Sequence, residues 1–194
     1  MPFDAMDELD DDALLEAYAA GEARAARALT ARLAPRVLAH AARLLGGDRA
    51  EAEDVTQDAM VRLFRIAPDW RPGEARVTTW LYRVTANLCI DRLRRRRTGP
   101  PLEAIPEPVD DAPSAAAALQ DRARARALEA ALLDLPDRQR QAVVLRHIED
   151  LPNPEIAGIM DISVEAVESL TARGKRALAA ALAGRREELG YSDG

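Results

Sequence analysis

A chain of 194 residues has room for one domain or two small ones, and a 48% hydrophobic content excludes wholesale disorder. Only 4% of residues are aromatic and alanine abounds, which favours helices packed through small side chains over sheets. Cys89 is the single cysteine, so no internal disulfide forms, and a net charge of -6 argues against an unaided grip on nucleic acid while permitting a local basic patch.

The first segment, MPFDAMDELDDD, lacks the basic-then-apolar order of a secretion signal, and no apolar run approaches the ~20 residues of a membrane span. A soluble, cytoplasmic protein without membrane insertion is expected. Asp10–Asp12 cap a helix carrying Leu14, Leu15 and Tyr18, stopped at Gly21. A second helix runs from Ala25 to Leu45, with Leu29, Leu33, Val37 and Leu44 at helical spacing, and ends at Gly46-Gly47. Asp48 opens a third through Arg65. Two prolines and a glycine make Ala67–Val77 a loop, and a fourth helix spans Thr78–Arg97.

After Arg97 five prolines stand among acidic residues, TGPPLEAIPEPVDDAPS, which reads as an extended linker over 98–115. Helical periodicity resumes through Leu119, Leu128 and Leu132 to Leu135-Pro136, then over Asp137–Ile148, Pro154–Met160 and Val164 to about Ala183. No strand pattern occurs. The expected architecture is all-α: one small helical domain over 1–97, the linker 98–115, and a second helical domain over 116–194.

The stretch NPEIAGIMDISVEAVESLTARGKRAL has the layout of a helix-turn-helix. Asn153 is expected to cap the first helix with Pro154 at its first position, Asp161-Ile162-Ser163 to turn, and Ser163 to cap the second. Ala157 allows close crossing, and Val164, Val167 and Leu170 recur on the inner face. Glycine is usual where Asp161 stands, because the turn requires a left-handed residue. The second helix would enter a major groove, with Arg173, Lys175 and Arg176 near phosphates. A plain helical hairpin that never meets DNA has the same layout.

At ~100° per residue, Leu81, Val84 and Leu88 share one side of the fourth helix. Arg83, Asn87 and Arg94 form a polar ridge on another, with Asp91 at its edge. Such a ridge can hold a strand by its phosphates while the Asn87 amide, donor and acceptor together, meets a base edge. Trp70, Arg71 and Arg76 in the preceding loop are the aromatic and cationic mix that suits unstacked bases, although Trp70 serves equally as packing and Trp80 reads as a core anchor. The run Arg92–Arg97 alone is also what a solvated helix end carries. On the third helix Val55, Ala59 and Leu63 face inward, leaving Asp54, Gln57, Asp58 and Arg62 outward; taken alone this is an ordinary amphipathic helix.

In this order the pieces resemble the extracytoplasmic-function (ECF) group of sigma-70 sigma factors. AEDVTQDAM is similar to the family's region 2.2, TTWLYRVTANLCIDRLRRRR to regions 2.3 and 2.4, and LPDRQRQAVVLRHIEDLPNPEIAGIMDISVEAVES to region 4. The resemblance covers about Asp11 to Leu182. It implies a specificity subunit for core RNA polymerase, without catalytic activity or cofactor, that directs promoter recognition and strand opening. It implies that Asp54, Gln57, Asp58 and Arg62 dock the polymerase clamp helices. It implies that Trp70, Arg71, Arg76, Arg83, Asn87 and Arg94 meet the unpaired −10 strand. The linker would run through the polymerase, and an anti-sigma factor would be a further partner.

For the −35 element the resemblance points to Ser163, Glu165, Ala166, Glu168, Ser169, Arg173, Lys175 and Arg176. The recognition helix departs from the family pattern here: Glu168 and Leu170 stand where two cationic positions are usual. A conventional helix-turn-helix regulator with an N-terminal sensor is the competing binding function, and would bind palindromic sites as a dimer. An enzyme is disfavoured, because His40 and His147 lie in unrelated helices and no metal-ligand cluster, nucleophile motif or phosphate-binding loop is present in the sequence.

Overall fold

The computed structural model of the chain describes residues 6, 8–98 and 116–183; the rest of the expected linker after Thr98 lies outside them. Among the described residues there are eight α-helices and no strand: α1 Asp11–Ala19, α2 Ala23–Leu44, α3 Arg49–Ile66, α4 Val77–Thr98, α5 Ala116–Leu133, α6 Asp137–His147, α7 Asn153–Met160 and α8 Val164–Ala183.

The starts and stops follow local chemistry. Asp10 caps α1 by accepting the Ala13 N–H at 2.8 Å, and Asp48 caps α3 by accepting that of Glu51 at 3.0 Å. The loop after α3 contains a 3-10 turn, Ala67–Asp69, and α4 begins one residue early, where the Val77 N–H donates to Asp12 at 3.2 Å. Asn153 is not the cap of α7. It is the first helical residue, preceded by Pro152, and its amide donates instead to Glu168 of α8 at 3.5 Å.

Three apolar clusters hold the helices. Leu14, Leu29, Leu33, Leu63 and Leu81 belong to one that lies wholly in the N-terminal half. The second joins the halves: Ala41, Leu44 and Cys89 pack with Leu132, Leu135 and Val144. In the third, Tyr82 of α4 packs among Leu145, Ile156 and Val167 of the C-terminal half. The halves therefore meet through a shared seam, which the picture of two bodies on a tether did not foresee, because helical periodicity marks apolar faces but not their partners.

Two glycines permit this packing. Gly46 has φ +71°, and a Cβ there would lie 2.1 Å from Leu133 Cδ1, so both turn and seam require glycine. Gly174 lets α8 approach α6, since its Cβ would lie 2.6 Å from Val143 Cγ2. No helix among the described residues is long and apolar enough to cross a membrane.

Candidate nucleic-acid interface

On α3 the alternation expected from sequence is present. Val55, Ala59 and Leu63 are buried, and Asp54, Gln57, Asp58 and Arg62 are exposed along one outer face. The carboxylates have a partner that the sequence did not reveal. Arg92 of α4 lies 3.6 Å from Asp54 and 3.4 Å from Asp58, one turn apart on α3. One turn further, Arg96 pairs with Asp48 and, at 2.9 Å, with Glu51. Part of the arginine run is thus drawn onto α3. The available signal was its i,i+4 spacing opposite acids that recur every three or four residues.

The ridge on α4 is likewise outward. Arg83, Asn87 and Arg94 are exposed while Leu81, Ala86 and Leu93 are buried. Asp91 accepts from Arg94 at 2.9 Å, holding that guanidinium at the ridge edge. In the loop before α4, Arg76 is exposed and Arg71 pairs with Glu74 at 3.5 Å. Trp70 and Trp80 meet edge to face, 6.3 Å between ring centroids, and both pack against the N-terminal core. The Trp70 indole nitrogen is enclosed without a hydrogen-bond partner among the described residues, so this ring is largely part of the loop's packing.

The helix-turn-helix has its expected turn: Asp161 sits at φ 53°, and Ser163 Oγ accepts the Ala166 N–H at 3.2 Å. Glu165 curls over the helix start, where its own backbone N–H and then the Ser163 hydroxyl hold its carboxyl below the usual range. Val167 is buried, and Leu170 packs against the same cluster, which assigns it to the helix pair. Glu168 and Ser169 are exposed, with Ala166 partly so. Arg173 donates to the Ser169 carbonyl at 3.2 Å, and Lys175 and Arg176 are exposed further along α8.

The structure also brings together residues far apart in sequence. Arg83 of the ridge lies 3.5 Å from Asp161 of the turn. Glu149, between α6 and α7, reaches into the N-terminal half, accepting from Arg43 at 2.9 Å and from Tyr82 at 3.0 Å. Burial pushes the Glu149 carboxyl up, but His40, Tyr82 and Arg43 outweigh it and hold the group below its ordinary value. Burial, with Glu149 beside it, pushes the Tyr82 phenol up to about 12.

The sigma-70 region 2 family model matches residues 29–98, and the sigma-70 region 4 model matches residues 125–178. The ECF RNA polymerase sigma factor SigM of Mycobacterium tuberculosis is 34% identical over 174 residues, 89% of this chain and 84% of that protein. The chain belongs to the ECF sigma factors of the sigma-70 family. The ECF sigma factor SigE of Mycolicibacterium smegmatis is 36% identical over 69% of the chain, but the match spans about half of that longer protein, 52%. A solved structure of the sigma factor CnrH with the cytosolic domain of CnrY aligns with TM-score 0.67 and 31% identity, covering 90% of this chain and 99% of that one. Within this sigma factor the α3 face and the α4 ridge fall in region 2, and the helix-turn-helix falls in region 4.

Proposed function

We propose that this sigma factor binds core RNA polymerase through the exposed α3 face and directs it to promoters through two separate readers. Asp54, Gln57, Asp58 and Arg62 make the polymerase contact. Arg83, Asn87 and Arg94, with Arg71 and Arg76 from the loop and an edge of Trp70, take the unpaired −10 strand. Ser163, Glu165, Ala166, Glu168 and Ser169 face the −35 groove, where Arg173, Lys175 and Arg176 hold phosphates. Residues 1–97 and 116–194 act as the two functional domains, with 98–115 between them.

The observation that carries this reading is the segregation of two polar faces on adjacent helices. An acid-rich face on α3 stands beside a cationic ridge centred on an amide side chain on α4, each exposed over a buried apolar side. The acidic face suits a protein partner and would repel DNA, whereas the ridge suits a nucleic-acid strand. The factor works without catalytic chemistry or cofactor of its own, in the cytoplasm where the polymerase acts. The likeness to CnrH, solved with CnrY, supports control by a protein partner of the anti-sigma kind.

The test is co-purification with core polymerase followed by run-off transcription. Core alone is expected to be silent on the cognate promoter and active with the factor. Tight, polymerase-independent binding to palindromic DNA would point to a conventional regulator instead.

A further inference from the structure

We propose that α1 is a strut that fixes the loop between α3 and α4, and that Asp12 is a positioning residue for the −10 strand contact. The proposal rests on the promoter reading above for its consequence, though not for its geometry. Arg76 holds the position before α4, since its carbonyl accepts the Trp80 N–H at 3.1 Å, but a guanidinium offers no acceptor for a cap. The first N–H groups of a helix have no partner within it, and Val77 is buried. Its N–H is met from 65 positions away, by Asp12 Oδ1 at 3.2 Å. The start of α4 therefore borrows its acceptor from α1.

The other end of the loop is tied to the same helix. Tyr18, near the end of α1, packs on Phe64 in the last turn of α3, 4.8 Å between ring centroids. Between Asp12 and Tyr18, Leu14 and Leu15 are buried in the cluster that also holds Ala67 and Val77. α1 is itself fixed to α2: Arg32 donates to the Leu9 carbonyl at 2.8 Å and to Asp11 at 3.0 Å. The rise from Asp12 to Tyr18, about 9 Å at 1.5 Å per residue, thus bridges the two ends of the loop.

Every residue from Arg71 to Arg76 is exposed. A loop with no buried side chain takes its shape from its ends, so the anchors at Phe64 and Val77 place Arg71 and Arg76 for a strand. Charge alone would give Asp12 the opposite role. A carboxylate beside Arg76 repels phosphate, so its removal would tighten binding, whereas loss of the anchor weakens it.

Trp70 and Trp80 are the chain's 2 tryptophans and both lie at this loop, so intrinsic fluorescence reads its geometry. Asp12→Ala should red-shift that emission as the rings loosen toward water. In the holoenzyme with core polymerase, it should weaken binding of a −10 single-strand oligonucleotide at least about fivefold by anisotropy, the scale of one lost cap. Core affinity should stay as in wild type, because Asp54, Gln57, Asp58 and Arg62 make none of these contacts. Asp12→Asn keeps an acceptor and loses the charge, so it should match wild type in both readouts. Asp12→Glu keeps the charge and moves the acceptor by one methylene, so it should resemble Asp12→Ala. This second pair decides the question if Asp12→Ala fails to fold.

Unchanged emission and binding in Asp12→Ala overturn the proposal, as does tighter binding, or Asp12→Asn behaving like Asp12→Ala. Equal losses of core affinity and −10 binding would mark a merely structural residue and overturn it too. Arg76→Ala tests the promoter reading separately. If it leaves −10 binding unaltered, that reading of the loop is wrong, and the emission of the Asp12 variants decides the strut by itself.

Discussion

Arg92 on α4 reaches Asp58 on α3 at 3.4 Å, with Asp54 one turn away at 3.6 Å on the same guanidinium. Asp54 and Asp58 would repel each other at i,i+4 without it. A guanidinium on α4 thus orders the two α3 carboxylates that the proposed function assigns to the polymerase contact. Asp54→Arg is expected to lower core affinity by at least about tenfold, ~1.4 kcal/mol. Arg92→Ala should lower it less, about threefold, by freeing both acids. Each exposed pair contributes at most ~1 kcal/mol, so thermal unfolding should shift by only a few degrees. A quantitative pull-down with core polymerase checks both, and unaltered affinity for Asp54→Arg removes the docking assignment.

Asn87 lies exposed between Arg83 and Arg94; in the proposed function its amide, donor and acceptor together, discriminates a base while the arginines hold the strand. Asn87→Ala is expected to relax preference at one −10 position, costing ~1–3 kcal/mol on the preferred base. A −10 substitution series in open-complex assays reads this out. The same base profile in mutant and wild type would show that Asn87 faces away from the strand.

Glu168 is exposed on α8, where the Asn153 amide donates to it at 3.5 Å. Glu168→Arg should raise −35 affinity and steepen its salt dependence by about one contact, a change of ~0.9 in log–log slope. Preference should shift at one −35 position. Leu170, packed inward, should not alter specificity when replaced by Met. A −35 library transcribed at two salt concentrations separates these outcomes.

Gly174 is buried where α8 crosses α6. Gly174→Ala gains ~1 kcal/mol of helix propensity but forces a methyl to within 2.6 Å of Val143 Cγ2 and 3.2 Å of the Gln139 carbonyl. Overpacking of this kind costs ~1–3 kcal/mol, so a net loss is expected. Val143→Ala in the same chain should recover part of it. Urea unfolding of the two single variants and the double variant gives the coupling.

Tyr82 and Glu149 make the seam sensitive at both ends of the pH scale. The Tyr82 phenol is raised to about 12 from 10.0, so its contribution is complete below pH 10 and lost as pH rises through about 12. The Glu149 carboxyl is lowered from 4.5, so its contribution is present above that value and lost as pH falls through the depressed one. Tyr82→Phe should flatten the alkaline loss, and Glu149→Gln the acid loss. Denaturant unfolding across pH measures both slopes; parallel curves for variant and wild type would exclude these groups as the source.

Helix order, caps and the outward placement of Asp54, Gln57, Arg83 and Asn87 were legible in the sequence. These depend on neighbours within one or two turns: Asp10 and Asp48 cap because a short carboxylate reaches the next N–H groups, and exposure follows from a 3.6-residue repeat. The family resemblance was legible for the same reason, since its motifs are local. Asn153 shows the limit even there: Pro152 holds the cap position, and the Asn153 amide contacts Glu168 on the next helix at 3.5 Å. Tertiary structure alone decided that Arg92 serves α3, that Gly46 admits Leu133, and that Glu149 enters the other half to meet Arg43, 106 positions away. No periodicity encodes such pairings, because they arise from which two surfaces bury the most apolar area together, and charged groups at that seam take the partners that remain.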